Sequence, residues 1–158
     1  MIRKVISGGQ AGVDRAGLDA AFNAGFPIGG SCPKGRLAED GTIPEKYPLT
    51  EMNTPKLHSR TEKNVQDSDG TLILNKGKLT KGTRLTLQYA IKHGKPSLVV
   101  QLDAEEVIKP EHVVRWLDAQ YISILNVAGP RESKYPEGIY ADALVYLERV
   151  FYHLKEVS

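Results

Sequence analysis

The chain has 158 residues and a net charge of +2, from 21 lysines and arginines against 19 aspartates and glutamates. Its 41% hydrophobic and 25% charged residues are ordinary globular usage, which excludes wholesale disorder and suits one domain with a sizeable core. The small charge surplus argues against nucleic acid as a partner, the single cysteine excludes an internal disulfide, and the lack of any run of about 18 apolar residues excludes a membrane span.

Residues 3–7 predict a strand centred on Val5 and Ile6, with no signal-peptide apolar core before it, so a cytoplasmic protein is expected. Residues 13–23 predict a helix ending at Ala24-Gly25, with Val13, Gly17, Ala20 and Ala24 on a face small enough to lie close on a sheet. Residues 26–30 predict a second strand. Residues 31–57, with Pro33, Pro44, Pro48 and Pro55, form a long polar connection of the kind that is usually functional or poorly ordered. The capping-box spacing of Ser59 and Glu62 starts a helix that runs to about Asp67. Strands follow at 70–74, 97–102 and 122–127, with helices at 83–93, 110–119 and 139–155. This alternation predicts an α/β fold: a single doubly wound Rossmann-like domain over residues 1–158, with a mainly parallel sheet of about five strands.

Ligands bind such sheets outside the carboxyl ends of the strands. The predicted loops there are long, basic and rich in glycine, whereas those at the other edge (Asn23-Ala24-Gly25, His93-Gly94-Lys95, Asp118-Ala119-Gln120) are short and bland. In Ser7-Gly8-Gly9-Gln10-Ala11-Gly12-Val13-Asp14-Arg15, Gly8, Gly9 and Gly12 let backbone approach a ligand, and the helix start favours an anion such as phosphate. Asp14 and Arg15 stand where they reach a sugar hydroxyl and a phosphate; alternatively the glycines only shape a turn and Arg15 pairs with Asp19. The spacing is GGxxG, not the dinucleotide fingerprint, and Ser31 and Cys32 stand where its acid would follow the second strand, which disfavours hydride transfer.

Gly77-Lys78-Leu79-Thr80-Lys81-Gly82-Thr83 has P-loop glycine spacing, but Thr83 replaces the lysine. Gly82 and Thr83 either hold a phosphate or form an ordinary helix cap. Arg60 and Asn64 share a helical face, Lys34 and Arg36 follow a strand, and Arg131 is positioned to fork onto an oxyanion unless it pairs with Glu132. His58, His93, His112 and His153 lack metal-ligand spacing, so no protein-only metal site is expected, and lone Cys32 fits a small buried residue better than a nucleophile. Val145, Tyr146, Tyr152 and Val157 extend the apolar surface of the last helix beyond one stripe, which predicts a homo-oligomer.

The run from Ile6 to Arg15 resembles the opening motif of the molybdenum carrier family, within the circularly permuted YpsA-like branch of the SLOG group of Rossmann-like proteins. So do Cys32-Pro33-Lys34-Gly35-Arg36 with Ala38-Glu39-Asp40-Gly41, Arg60-Thr61-Glu62 with Asn64-Val65 and Ser68-Asp69-Gly70-Thr71, and the run from Asn126 to Ser133. The resemblance covers nearly the whole chain. It implies a binding protein for a small phosphate-containing ligand, the molybdenum cofactor or a nucleotide, held by Gly8, Gly9, Gln10, Gly12, Asp14 and Arg15 together with Lys34, Arg36, Arg60, Asn64, Gly82, Thr83, Arg131 and Glu132. The alternative is a nucleotide N-glycosidase like the distantly similar LONELY GUY-type phosphoribohydrolases. Their PGGxGTxxE glutamate, however, is Thr86 here when the Gly82-Thr83 pairs are aligned, which implies no catalytic residue at that position.

Overall fold

The computed structural model describes residues 1–157. Its strands are β1 (Lys4–Ile6), β2 (Ile28–Gly29), β3 (Ser31–Cys32), β4 (Leu37–Ala38), β5 (Gly41–Thr42), β6 (Thr50–Glu51), β7 (Gly70–Asn75), β8 (Ser97–Gln101) and β9 (Ile124–Ala128). The helices are α1 (Val13–Asn23), α2 (Leu57–Asp67), α3 (Lys81–Lys92), α4 (Pro110–Ala119) and α5 (Tyr140–Glu156), with a short 3-10 turn at Glu132–Lys134.

Five strands form one parallel sheet in the order β2-β1-β9-β7-β8, as the alternating pattern predicts. Chain direction decides which face each helix covers. From β1 to β2 the chain moves one way across the sheet, and from β7 to β8 it moves the other way. Right-handed crossovers then put α1 and α3 on opposite faces, and the return from β8 to β9 puts α4 beside α1. The observed packing agrees: α5 packs on both α1 and α4, while α2 packs on α3. The core is built from Val5, Leu72, Leu74, Leu125 and Val127 of the sheet, with Val13, Ala20, Leu117, Leu147 and Phe151 from the helices. The small face read for α1 is used as expected: a Cβ at Gly17 would stand 2.8 Å from Val127, so the helix lies almost on the strand.

Residues 31–57 depart from the expected polar connection. β3 pairs with β6 and β4 pairs with β5, and Cys32, Ile43, Tyr47 and Leu49 close with Leu18 of α1 into a second apolar cluster. Arg36, at φ 54°, holds this lobe together by donating to the carbonyls of Ile43, Leu49, Pro44 and Tyr47.

Two helix starts also differ. α2 begins at Leu57 with no side-chain cap, so Ser59 and Glu62 do not form the capping box. Glu62 instead accepts from Lys92 at 2.9 Å and hydrogen-bonds His93 at 2.7 Å, because α3 packs alongside and its end offers both partners. α3 begins two residues earlier than expected, where Thr80 Oγ1 accepts from the Thr83 amide at 3.1 Å. Tyr146, expected on the outer surface, is 8% exposed and donates its hydroxyl to the Ile108 carbonyl. Val145, Tyr152 and Val157 do remain exposed. Among the described residues, no helix is long and apolar enough to cross a membrane.

Candidate functional site

A cavity of about 430 Å³ opens at the carboxyl ends of β1 and β9, between α2 and α3. The loop after β1 contributes Gly8, Gln10 and Asp14. α2 contributes Leu57, His58, Arg60, Thr61 and Asn64. The first turns of α3 contribute Thr80 to Thr83, Leu85 and Thr86, and the end of β9 contributes Asn126 to Pro130, followed by Arg131, Ser133 and Lys134. This is the edge of the sheet that loop composition marked.

Of the residues singled out from the sequence, the fold brings together Gly8, Gln10, Asp14, Arg60, Asn64, Gly82, Thr83 and Arg131. Asp14 does not stand free. It is 5% exposed, and its Oδ2 accepts from the Gln10 amide at 3.2 Å and from Arg60 Nη1 at 3.0 Å. Burial pushes its carboxyl above the ordinary carboxylate value, against the pull of the Arg60 guanidinium. Gly8 is required by this pair: a Cβ there would stand 1.5 Å from Arg60 Nη1. Asn64 is anchored by the Ser31 backbone, accepting from its amide at 2.8 Å and donating to its carbonyl at 3.0 Å.

The remaining candidates do not line this cavity. Gly9 turns toward Leu49 and Ile43 of the second apolar cluster, and Gly12, at φ 110°, lies against the backbone of Pro130 to Glu132. Arg15 donates to the Gly9 carbonyl at 2.9 Å and forks onto Asp40, not Asp19, at 2.6 and 2.8 Å. Asp19 instead accepts from the hydroxyls of Tyr47, at 2.8 Å, and Tyr140. Lys34 is exposed and away from the cavity, and the guanidinium of Arg36 is engaged by the carbonyls that it holds. Glu132 does not pair with Arg131; its Oε1 accepts from the amides of Ile139 and Tyr140, both at 2.7 Å, and so closes the start of α5.

The amide cradle expected at α1 is also engaged internally. The Gly9 amide donates to Ser7 Oγ, the Gln10 amide to Asp14, the Ala11 amide to Gln10 Oε1, and the Val13 amide to the Pro130 carbonyl. A bridge between Gly12 and Arg131 seals that helix start. The start of α3 differs: a Cβ at Gly82 would meet nothing within 4 Å, and Gly82 and Thr83 both face the cavity.

Sequence reading missed Lys81, Lys134 and Asn126. Lys81 stood inside the run 77–83 without being singled out, Lys134 belongs to no motif, and only the folded chain places the two at one cavity. Asn126 was hidden inside the fifth predicted strand, where an amide amid apolar neighbours was the available signal.

The model of the circularly permutated YpsA SLOG family matches residues 5–151. The chain is also similar to a solved "Putative molybdenum carrier protein" from Syntrophus aciditrophicus SB, with 48% sequence identity, coverage of 95% of this chain and 94% of that one, and a TM-score of 0.86. No curated protein matches the chain.

Proposed function

The chain belongs to the circularly permuted YpsA SLOG family, and we propose that it binds a phosphate-bearing small molecule, a nucleotide or the molybdenum cofactor, in the cleft between α2 and α3, as a carrier. One observation carries this reading. Arg60, Lys81, Arg131 and Lys134 line the cavity with Asp14 as the single carboxylate, in a chain whose whole surplus is two charges. Such a concentration of cations favours an anionic ligand. The open first turn of α3 adds backbone amides and the positive end of a helix dipole, which suit a phosphate. A volume of about 430 Å³ lies within the range of small-molecule sites, roughly 300–1,000 Å³.

The name of the Syntrophus relative favours a molybdenum-bearing cargo. The donor set here fits the organic part of such a cargo better than a bare metal ion. Cys32 is fully buried and away from the cavity, and no cluster of His, Cys, Asp or Glu able to hold a metal occurs among the described residues.

Calorimetric titration with nucleoside monophosphates, a pterin phosphate and their dephosphorylated counterparts tests the reading. The phosphorylated compounds are expected to bind about 10-fold tighter or better, with affinity falling as salt rises. Equal affinity with and without phosphate overturns it. The same mixtures are expected to release no free base, since Thr86, which donates to the Gly82 carbonyl at 3.1 Å, stands where the hydrolases carry glutamate. Exposed Val145, Tyr152 and Val157 support self-association as well, and a light-scattering mass of 17.4 kDa at micromolar concentration would exclude it.

A further inference from the structure

The floor of the cavity holds hydrogen-bonding groups that the fold leaves unused. Arg60 donates Nη1 to Asp14 Oδ2, whereas among the described residues its Nη2 meets no acceptor and its buried Nε has none either. The guanidinium has little freedom to turn, because it lies across Gly8 and its side chain is only 12% exposed. Asp14 Oδ2 takes both of that carboxylate's bonds, so among the described residues no donor reaches Oδ1. Asn126, 3% exposed, donates Nδ2 to Thr71 Oγ1 at 3.2 Å, and its Oδ1 receives no donor from the described residues. Arg60, Asp14 and Asn126 all line the same cavity.

The balance of charge separates this floor from the mouth. Asp14 matches the charge of Arg60, whereas Lys81, Arg131 and Lys134 at the mouth are exposed and unmatched. A second phosphate on the floor would be repelled by the Asp14 carboxylate, and a neutral ring edge would not be. The unused groups are the remaining guanidinium donors, Nη2 among them, and two acceptors. A 2-amino-4-oxopyrimidine edge is their complement, since it carries one carbonyl acceptor beside a ring N–H donor and an amino donor. Guanine and pterin rings share that edge; hypoxanthine lacks the amino group, and adenine lacks the carbonyl. Leu57, Leu85 and Pro130 supply apolar wall for the faces of a flat ring.

We propose that the floor of this pocket recognises a 2-amino-4-oxopyrimidine ring, through Arg60 to its carbonyl and through Asp14 and Asn126 to its N–H and amino groups. The inference rests on the phosphate-binding function proposed above and adds the identity of the ring.

The test is a calorimetric series on the full chain with GMP, IMP, AMP and a pterin phosphate, so that one phosphate group is common to all. GMP and the pterin phosphate are expected to bind about 10–100-fold tighter than AMP, the effect of losing a hydrogen bond to a charged group, with IMP between. A tighter pterin phosphate identifies the cofactor as the source of the ring, and a tighter GMP identifies a guanine nucleotide. Equal affinity for GMP, IMP and AMP overturns ring recognition and leaves phosphate binding standing; no binding by any of the four overturns both. Asp14→Asn is expected to collapse the preference for GMP over IMP. A preserved preference in that variant also counts against the proposal. Because the ligand series uses the unaltered chain, the proposal stays testable even where the variant fails to fold.

Discussion

Two strand-to-helix junctions in this molecule look alike in sequence and are used in opposite ways. The junction from β1 to α1 carries three glycines and an acid-base pair, yet its amides are engaged within the protein and its helix start is sealed by the backbone of Pro130 and Arg131. The junction from β7 to α3 has fewer glycines and a simple threonine cap, yet it is open, with nothing near Gly82. Glycine permits close approach of backbone, and what approaches depends on which segment the fold brings there. At α1 it is another part of the chain. At α3 the space opens into the cavity.

Substitution at the two junctions sharpens the contrast. The largest effect is expected from Gly12→Val, which puts a β-branched side chain at φ 110° with its Cβ 2.6 Å from the Pro130 carbonyl. Strain and overpacking together should cost roughly 3–5 kcal/mol in urea unfolding; a loss of ligand affinity with full stability would instead return the first junction to the binding site. Arg131→Ala comes next. Exposed and free of protein hydrogen-bond acceptors from its side chain among the described residues, it should leave stability within about 0.5 kcal/mol while phosphate ligands lose about 10-fold in affinity at low salt and less at high salt, as titrations at two ionic strengths would read.

Gly82→Ala should divide the two properties, raising stability by about 0.5–1 kcal/mol through helix propensity while its methyl group crowds the approach to the first turn of α3 and weakens phosphate binding. Paired melting and titration measurements check the opposite signs; unchanged affinity would place the phosphate elsewhere. The smallest effect is expected at the Arg15–Asp40 fork. The hydrogen bonds from Arg15 hold the Asp40 carboxyl below its ordinary value. Its contribution is therefore fully present above the unfolded-state carboxylate pKa and lost as pH falls through the lower native value. Asp40 is half exposed, so the contribution should be only about 0.2–1 kcal/mol. Asp40→Asn should flatten that acid limb of the stability profile and leave ligand affinity alone, because the fork lies outside the cavity.

The order of strands and helices was legible because β-branched runs and helical periods alternate along the chain, and that alternation admits few arrangements besides a parallel sheet with helices on both faces. The small face of α1 announced its close packing, and Gly17 against Val127 shows the reason. Residues 31–57 hid their structure: Ile43, Tyr47 and Leu49 are isolated along the chain, follow no period, and become a cluster only against Leu18. Arg36 and Glu132 read as ligand-binding charges because a sequence shows what a side chain carries and not which groups surround it; both turned out to satisfy backbone groups of their own loops.

The sequence by itself thus determined the fold class and the edge of the sheet at which the cavity opens, since these follow from local propensity and from the fixed hand of crossovers. The tertiary structure alone decided which glycine-rich turn stays open, which arginine is held by Asp14, and which cations share one cavity. Those outcomes depend on contacts between segments far apart in the chain, such as Gly12 with Arg131 and Asp14 with Arg60, and no local pattern encodes the distance across them.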